Sequence, residues 1–281
     1  MAGVFLFFRK EPKMKNTLHM LQSQTDTICN SFIVTTEDGK VIVIDGGYET
    51  ERPYFVSYLQ KLTGKQTPHI DVWILTHPHE DHVNTFFDIC EHHPDEVTFD
   101  RVYLNFPSKG LFEGVDDSAK ATMDDFYRVL PLFAKKLRLL CGGDVFTIGK
   151  AKFYVLSSQD FTFRNCNNQS LVFRMELGKS SVLFTADCEA PAGEKILRLW
   201  KDSGLLDCDI CTMAHHGQGG VDKSFYEAVM PKICLWPTPE WLWTNCGGDG
   251  PFKTLETRKW VQELGIETHY VMKDGTCVLE L

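Results

Sequence analysis

A run from Thr76 to His82 holds the side chains in this sequence that are best suited to bind metal ions. It reads Thr-His-Pro-His-Glu-Asp-His and follows the apolar segment Val72–Leu75, which has the length of a short buried strand. Its three imidazoles and the Asp81 carboxylate suit a divalent cation such as zinc or manganese. Four potential ligands directly after one apolar strand indicate a metal site rather than a solvated loop rich in histidine.

The spacing of these ligands allows the loop to serve two cations. In an extended segment His77 and His79 point the same way, whereas Asp81 and His82 can turn toward a second position. Two-metal hydrolases hold their ions about 3.5–4 Å apart, a distance that one loop can bridge. We therefore expect two divalent cations as cofactors, with zinc favoured and manganese and iron as alternatives.

Three further strand-like runs end in residues that could complete such a site. Asp45 precedes a glycine pair, Asp187 follows Thr-Ala, and His215-His216 precedes a glycine. An aspartate after a strand is by itself more often a turn residue. The order of these residues along the chain is what indicates a shared site.

In that order the segments resemble the metallo-β-lactamase-fold superfamily. The run His77–His82 matches the family signature H-x-H-x-D-H residue for residue. Ile44–Gly47 precedes it as the family's early aspartate-glycine motif does, and Thr185–Asp187 and Ala214–Gly217 follow it as the later motifs do. Ala186 stands where the family usually has glycine. The resemblance implies an α/β fold, the four-layer αββα metallo-β-lactamase sandwich.

The same resemblance implies a domain organisation and roles for individual residues. We expect a single domain over residues 1–281, with two pseudo-symmetric halves at roughly 14–150 and 151–281. Asp45 would brace the metal loop, Asp81 would also orient the nucleophile, and His215 would be the proton donor. The order of His215 and His216 stays open, with His216 favoured as the ligand. The implied metal ligands are His77, His79, Asp81, His82, Asp187 and His216.

No histidine lies between His93 and His215. Lactamase, glyoxalase, lactonase and tRNA-processing branches of the family place a third histidine for the first cation in that interval. The corresponding segment here, Asn167–Phe173, reads Asn-Asn-Gln-Ser-Leu-Val-Phe. It resembles the branch that contains the hydrolase domain of competence DNA-uptake proteins and the choline-phosphate esterases of teichoic acid, which act on phosphodiesters.

The branch therefore predicts a two-metal phosphodiesterase or related phosphoester hydrolase. Two cations would bring a water molecule to hydroxide near neutral pH and polarise the P–O bond. An acyl-bond hydrolase acting on a lactone, thioester or β-lactam at the same metal site is the main alternative. A non-catalytic binding protein that kept the fold is less favoured.

Several residues outside the motifs are candidates for the substrate pocket. Trp236, Trp241 and Trp243 could stack on a base or surround a quaternary ammonium group, or could form a hydrophobic cluster under a long loop. Glu189 could contact substrate or be an exposed loop residue. Residues 107–125 are a candidate lid. The pocket candidates are Asn168, Glu189, Trp236, Trp241 and Trp243.

The elements that must position these residues alternate between strands and helices. Asp38-Gly39 predicts a hairpin turn, Asp274-Gly275 predicts a closing hairpin, and Pro131 predicts a break or kink in a helix over 116–140. The predicted strands are 28–36, 40–45, 72–75, 97–105, 151–157, 170–177 and 181–186. The predicted helices are 54–62, one from residue 81, 116–140, 191–203, 222–230 and 254–264.

Composition narrows the remaining classes of partner. A net charge of −9 argues against a protein that coats nucleic acid through positive potential, although bound cations can handle phosphates locally. No apolar stretch reaches the roughly 18 residues of a membrane helix, and Val4–Phe8 lacks the flanks of a signal peptide. The ten cysteines are too sparse for a disulfide scaffold. We expect a cytoplasmic protein with a small-molecule or nucleotide-like phosphoester as substrate and no membrane partner.

Overall fold

The computed structural model describes residues 14–245 and 252–281, and this part of the chain contains fourteen strands and seven α-helices. The strands are β1 (Thr17–Met20), β2 (Ser31–Thr35), β3 (Val41–Asp45), β4 (His69–Ile74), β5 (Thr98–Leu104), β6 (Leu137–Leu139), β7 (Val145–Ile148), β8 (Ala151–Ser157), β9 (Val172–Leu177), β10 (Ser180–Phe184), β11 (Ile210–Thr212), β12 (Ile233–Trp236), β13 (Thr268–Val271) and β14 (Cys277–Glu280). The helices are α1 (Arg52–Thr63), α2 (Glu80–His92), α3 (Asp117–Phe133), α4 (Ala190–Trp200), α5 (Lys223–Val229), α6 (Glu240–Trp243) and α7 (Thr254–Glu263).

The strands form two seven-stranded mixed sheets. The first has the order β14-β1-β2-β3-β4-β5-β6, and the second has the order β13-β12-β11-β10-β9-β8-β7. Strands β3 to β6 run parallel in the first sheet, and β10 to β13 run parallel in the second. The carboxyl ends of parallel strands meet at one edge of a sheet, which is where loops can converge on a site.

Alternating side chains divide the core into layers. Ile42 and Ile44 pack in the cluster that both sheets share, whereas Val41 and Val43 pack with α1 and α2 on the outer face. The second sheet does the same, since Phe173 and Phe184 face inward and Val172 and Leu183 pack with α4, α5 and α7. Side chains alternate across a strand, so strands buried on both faces are apolar throughout. The layers are helix, sheet, sheet and helix, which confirms the predicted αββα sandwich.

Local signals in the sequence account for most element boundaries. Strands β2 and β3 pair antiparallel around Gly39, whose φ of 87° needs the freedom of glycine, and this confirms the Asp38-Gly39 hairpin. Helix α1 begins with a proline in its first turn and ends at Gly64, which is left-handed with a φ of 68°.

Two predictions about elements were wrong. The helix predicted over 116–140 ends at Phe133, two residues after Pro131, and residues 137–139 instead extend the first sheet as β6. The closing hairpin at Asp274-Gly275 does not form, because β13 and β14 belong to different sheets. The turn between them carries the chain across the sandwich, where β14 pairs antiparallel with β1.

Within the described residues, no helix combines the length and the apolarity that crossing a membrane requires.

A buried histidine makes the first sheet sensitive to acid. The His19 imidazole on β1 contacts the hydroxyls of Thr17 at 2.7 Å and Tyr58 at 2.8 Å, and burial lowers its pKa from 6.5 to about 4. As the pH falls through 6.5, His19 becomes protonated in the unfolded chain. In the folded protein it becomes protonated only near pH 4. The free energy of unfolding therefore falls across this window, by up to about 3 kcal/mol at 1.36 kcal/mol per pKa unit.

This prediction is checked by urea denaturation of the wild type and His19→Gln between pH 7 and 4. The variant should lose less stability over this interval than the wild type does. His92→Gln is the control, since the ring of His92 is largely exposed. Equal slopes for the wild type and His19→Gln would contradict the assignment.

Candidate metal centre

The motif residues of the sequence meet at one edge of the sandwich. Asp45 ends β3, and the loop from Thr76 to His79 follows β4, so the first sheet contributes its residues from adjacent parallel strands. Asp187 follows β10 and the His215-His216 turn follows β11, again from adjacent parallel strands of the second sheet. The site therefore lies where the carboxyl ends of both parallel regions face each other.

One group of four side chains is fully internal. Asp81, His82, Asp187 and His216 are all buried, and they offer ligand atoms that lie within 4.8 Å of one another. His216 Nε2 lies 2.9 Å from Asp81 Oδ2 and 3.5 Å from Asp187 Oδ2. His82 Nε2 lies 3.2 Å from Asp187 Oδ1 and 3.6 Å from Asp81 Oδ2. We call this group the second position.

The potential ligand atoms of the second position lie close together but do not form hydrogen bonds with one another. Asp81 Oδ2, His82 Nε2, Asp187 Oδ1 and His216 Nε2 are all buried atoms that lack a hydrogen-bond partner. Ligands of a tetrahedral cation at about 2.0–2.1 Å stand about 3.3 Å apart. The separations at the second position, 2.9 to 3.6 Å, bracket that value. The atoms are arranged around a common point, and the donor set fits a divalent cation.

A second group shares Asp187. His77 Nε2 lies 3.1 Å from His79 Nδ1 and 3.7 Å from Asp187 Oδ2, and the three side chains again form a cluster of potential ligands. We call this group the first position. The 3.1 Å separation of two imidazole nitrogens is also close to that of neighbouring ligands on one tetrahedral ion. Asp187 thus lies between the two positions and can serve both.

Asp45 fixes the metal loop from beneath. Its carboxylate is fully buried and accepts from the Thr76 backbone N–H at 2.8 Å, the Thr76 hydroxyl at 2.7 Å and the Asn30 amide at 2.7 Å. His82 Nδ1 donates to the same carboxylate at 2.7 Å. Because Nδ1 carries the proton, His82 Nε2 is turned toward the second position with a free lone pair.

The remote nitrogen of His216 is held in the same way. His216 Nδ1 donates to the carbonyl of Pro237 at 3.0 Å, and Thr238 Oγ1 donates to the carbonyl of His216 at 2.6 Å. The loop after β12 therefore orients a side chain that follows β11. In both His82 and His216 the fixed Nδ1–H leaves Nε2 to face the cluster.

The electrostatics of the second position are those of a charged cluster. Burial by itself lowers the pKa of His216, but Asp187 and Asp81 raise it to about 10. Burial likewise opposes ionisation of Asp187, yet His216, His82 and His215 hold its pKa well below the ordinary value. Without a cation the imidazoles hold protons next to ionised carboxylates. A cation that binds here must displace those protons.

His215 stands beside the cluster in a different environment. Its Nε2 lies 3.8 Å from Asp187 Oδ2, 2.9 Å from the Gln218 amide nitrogen and 3.4 Å from the Asn167 amide nitrogen. Its Nδ1 lies 3.8 Å from Glu189 Oε1. Burial lowers the pKa of this imidazole, so it is neutral at neutral pH. These distances favour His216 over His215 as the metal ligand.

The Asn-Asn pair holds Glu189. Asn167 donates to Glu189 Oε1 at 2.9 Å and Asn168 donates to Glu189 Oε2 at 3.0 Å, so both oxygens of the carboxylate are engaged. Asn168 also accepts from the backbone N–H of Ala192 at 3.2 Å. Asn168 is therefore a support for the first turn of α4, and Glu189 lies beneath His215 rather than in an exposed loop.

Several backbones at the site are left-handed at residues other than glycine. Asp45, Ala186, His215 and His216 have φ values of 55°, 45°, 51° and 54°. A non-glycine residue with positive φ is uncommon and costs about 1–2 kcal/mol. Strain of this kind concentrates at functional sites, where the surrounding contacts enforce it.

The three tryptophans proposed for the substrate pocket make other contacts. Trp236 has no exposed surface and packs under Gly217, where an added Cβ would lie 2.4 Å from the indole ring. Trp236 is therefore part of a hydrophobic cluster, and its assignment to the substrate pocket was wrong. Trp243 packs edge-on against Trp236 and stacks with the Arg258 guanidinium. Trp241 donates its N–H to the carbonyl of Asp26 at 3.0 Å. Trp236 and Trp243 support the His215–Gly217 turn from below.

Three polar residues at the site were missed from the sequence. Asn30 contacts Asp45, Gln218 contacts His215, and Asp116 lies 3.2 Å from His79 Nε2. Gln218 stands next to a recognised motif and could have been found there. Asn30 lies just before β2 and Asp116 just before α3, where their residue types indicate no distant partner, and only the fold brings them to the metal loop.

The Asp45 network predicts the effect of a single substitution. Asp45→Asn places an amide N–H among four groups that donate to this position, so at least one donor loses its acceptor. The free energy of unfolding should fall by about 1–3 kcal/mol. Cation affinity should fall about 10- to 100-fold, because His82 loses its fixed orientation.

Calorimetric titration with zinc and urea denaturation measure the two effects. Asp209→Asn is the matched control, since Asp209 accepts from the Ser181 N–H at 2.9 Å and from Lys232 Nζ at 2.7 Å, at the ends of β10 and β11 that are remote from the site. It should lose stability with unchanged cation affinity. If both variants bind zinc as the wild type does, Asp45 has no role in orienting the ligand.

Comparison with solved structures agrees with the fold. The metallo-beta-lactamase fold protein YhfI from Bacillus subtilis superposes with a TM-score of 0.57 at 11% identity, covering 95% of this chain and all of that one. The diiron beta-hydroxylase CmlA from Streptomyces venezuelae gives a TM-score of 0.57 at 13% identity, covering 96% of this chain and 55% of that one. At such identities the likeness concerns the fold alone.

Sequence comparison adds one curated relative and the family. ComE operon protein 3 of Bacillus subtilis (strain 168) is 25% identical over 213 residues, which span 70% of this chain but only 25% of that protein. This match confirms the predicted resemblance to the competence-protein branch. The sequence model of the metallo-beta-lactamase superfamily matches residues 24–218, a span that contains all four motifs. With the αββα sandwich and the clustered motif residues, this match shows that the chain belongs to the metallo-beta-lactamase superfamily.

Proposed function

We propose that this protein is a two-metal phosphoester hydrolase that cleaves phosphodiesters. The observation that carries the proposal is the ligand set of the first position, where the protein offers His77, His79 and Asp187. By the resemblance, Asn167 and Asn168 lie in the interval where acyl-hydrolase branches of the family place a third histidine, and here their amides donate to Glu189. With three protein ligands, a cation held at the first position would leave room for a phosphate oxygen.

The charge balance of the site also favours an anionic substrate. At the cluster itself, two divalent cations would bring four positive charges against the two carboxylates of Asp81 and Asp187. This leaves a local excess of two if the histidines bind as neutral ligands, because the carboxylates of Asp45 and Asp116 contact histidines on the side away from the cluster. Glu189 reduces this excess, but two amides already hold its oxygens. A phosphodiester binds with one negative charge and gains a second when hydroxide attacks, whereas a lactone or thioester is neutral when it binds.

The chain's own residues have distinct tasks in this proposal. Asp81, His82 and His216 would hold the cation at the second position, and Asp187 would be shared with the first. The cations would supply Lewis acidity and activate water. Gln218 contacts His215 Nε2 through its amide NH2 group, whose second N–H can orient a phosphoryl oxygen there. His215 Nδ1 is buried without a hydrogen-bond partner, 3.8 Å from Glu189 Oε1, and His215 would take up or release a proton there.

Zinc is the favoured cation, because four of the five ligands that accompany Asp187 at the two positions are imidazoles, which zinc sites in proteins commonly use. They are His77, His79, His82 and His216. Manganese and iron are alternatives, because carboxylates and imidazoles also suit them. We propose a small-molecule or nucleotide-like phosphoester as substrate.

A substrate panel tests the proposal. Purified protein loaded with zinc or manganese is assayed with bis-p-nitrophenyl phosphate, p-nitrophenyl phosphorylcholine, nitrocefin and a lactone. We expect turnover of one or both phosphodiesters, with two cations per chain by elemental analysis. Turnover of only nitrocefin or the lactone would support the acyl alternative, and protein that binds no cation would support a binding module.

Substitutions of the neighbouring residues His215 and His216 should have different effects in the same assay. His216→Gln should lose cation affinity, because it removes a buried ligand from the second position. His215→Gln should keep both cations and lower kcat about 100-fold or more, the usual contribution of a proton-transferring side chain. His92→Gln, in an exposed ring on α2, is the control and should leave both quantities unchanged. The reverse pattern would exchange the roles of His215 and His216.

A further inference from the structure

We infer that Asp116 is a positioning residue for the first cation, acting through His79. This inference rests on the proposed two-cation site and adds a residue from outside the four motifs. Asp116 lies 37 positions after His79 in the chain, and its Oδ2 is 3.2 Å from His79 Nε2. The contact is well shielded, since both side chains are less than one-fifth exposed.

The two ring nitrogens of His79 face different partners. Nδ1 lies 3.1 Å from His77 Nε2, on the side of the first position, whereas Nε2 faces Asp116. Only one of these nitrogens can face a cation shared with His77 and Asp187, and that nitrogen is Nδ1. A neutral imidazole has one proton, so the nitrogen that meets the cation must be the bare one.

The Asp116 carboxylate decides which nitrogen is bare. Its Oδ2 lies 3.2 Å from His79 Nε2, and its Oδ1 accepts from the backbone N–H of Ala119 at 3.0 Å. A carboxylate oxygen that faces an imidazole nitrogen accepts from it, so His79 Nε2 donates. The proton is then fixed on Nε2 and the lone pair on Nδ1 is directed to the first position.

Asp116 is itself rigidly placed. It caps α3, where its Oδ1 accepts from the Ala119 N–H at 3.0 Å, and its own N–H donates to the Phe112 carbonyl at 3.0 Å. Phe112 is fully buried and anchors the segment that leads to α3. The neighbouring segment is tied in by Arg164, which donates to the carbonyl of Glu113 at 3.1 Å. Part of the candidate lid, residues 107–125, therefore serves to hold Asp116 against His79.

Asp45 and Asp116 act at opposite ends of one loop. Asp45 accepts from His82 Nδ1 and leaves Nε2 for the second position, whereas Asp116 accepts from His79 Nε2 and leaves Nδ1 for the first. Each carboxylate fixes the proton of one imidazole. The two cations therefore depend on different carboxylates, and their affinities should respond separately to substitution.

The test is a titration of apoprotein with zinc and with cobalt(II), followed by calorimetry and by the visible spectrum of cobalt. Asp116→Asn keeps a side-chain oxygen for the helix cap and can offer His79 an amide N–H in place of an acceptor. It should weaken one cation about 10- to 100-fold and leave the other unchanged. Asp116→Ser also preserves a capping hydroxyl, since serine is a good N-cap, but cannot reach His79, and it should give the same loss.

The matched control is Asp117→Asn. It removes the same charge from the same helix end, on an exposed residue in the first turn of α3. Its cation affinities, and the thermal unfolding of all three apoproteins, should stay close to those of the wild type. Equal losses in Asp116→Asn and Asp117→Asn would reduce the effect to helix charge and overturn the inference.

A double-mutant cycle with His79→Ala isolates the pathway. Once His79 is absent, Asp116→Asn should cause no further loss at the first position, because the two residues act in series. A full additional loss would show that Asp116 acts without His79 and would overturn the inference. So would a thiolate-to-cobalt charge-transfer band abolished by Cys166→Ser, because the cation would then lie among His79, Asp116 and Cys166, the other cluster around Asp116.

The outcomes separate the inference from the proposed function. Wild-type affinity for both cations in Asp116→Asn and Asp116→Ser overturns the role of Asp116 and leaves the phosphodiesterase proposal in place. Loss of one cation together with turnover of acyl substrates only would support Asp116 and reject the phosphodiester substrate. Wild-type protein that binds fewer than two cations contradicts both.

Discussion

The buried carboxylate of Asp45 is the interaction on which the rest of the site depends. A carboxylate with no exposed surface is stable only when several donors surround it, and Asp45 has four. Two of them come from Thr76 and join the end of β3 to the end of β4. The third, His82, is a candidate ligand, and the fourth, Asn30, joins the segment before β2. One carboxylate thus fixes the relative positions of three loops and one imidazole.

The second sheet reaches the same point through strained turns rather than through a carboxylate. Ala186, His215 and His216 all have positive φ, and the His215 N–H donates to the Ala186 carbonyl at 2.9 Å. The strain is opposed by close packing, because the Trp236 ring lies directly under Gly217 and leaves no space for a side chain. The apolar cluster on the outer face of this sheet therefore supports the geometry of His216 at the site.

The parts of this structure that follow from local patterns could be predicted from the sequence. The β2–β3 hairpin, the apolar strand before His77 and the four-layer fold depend on short-range signals or on motif order. The burial of Trp236 and the path of the chain after Asp274 could not be predicted from the sequence. A Trp-Pro run and an Asp-Gly pair are loop and turn signals, whereas the burial of Trp236 and the crossing of β14 to the other sheet depend on contacts distant in the chain.

The same distinction separates ligands from the residues that orient them. A ligand such as His77 or Asp187 stands at a strand end, in a motif whose residue types reveal its chemistry. Asp116 and Asn167 carry no such mark, since aspartate caps many helices and asparagine occurs in many loops. What distinguishes them is a specific pairing, with His79 and with Glu189. Because metal affinity depends on which imidazole nitrogen is bare, these unmarked residues set properties of the site that the ligand list alone does not determine.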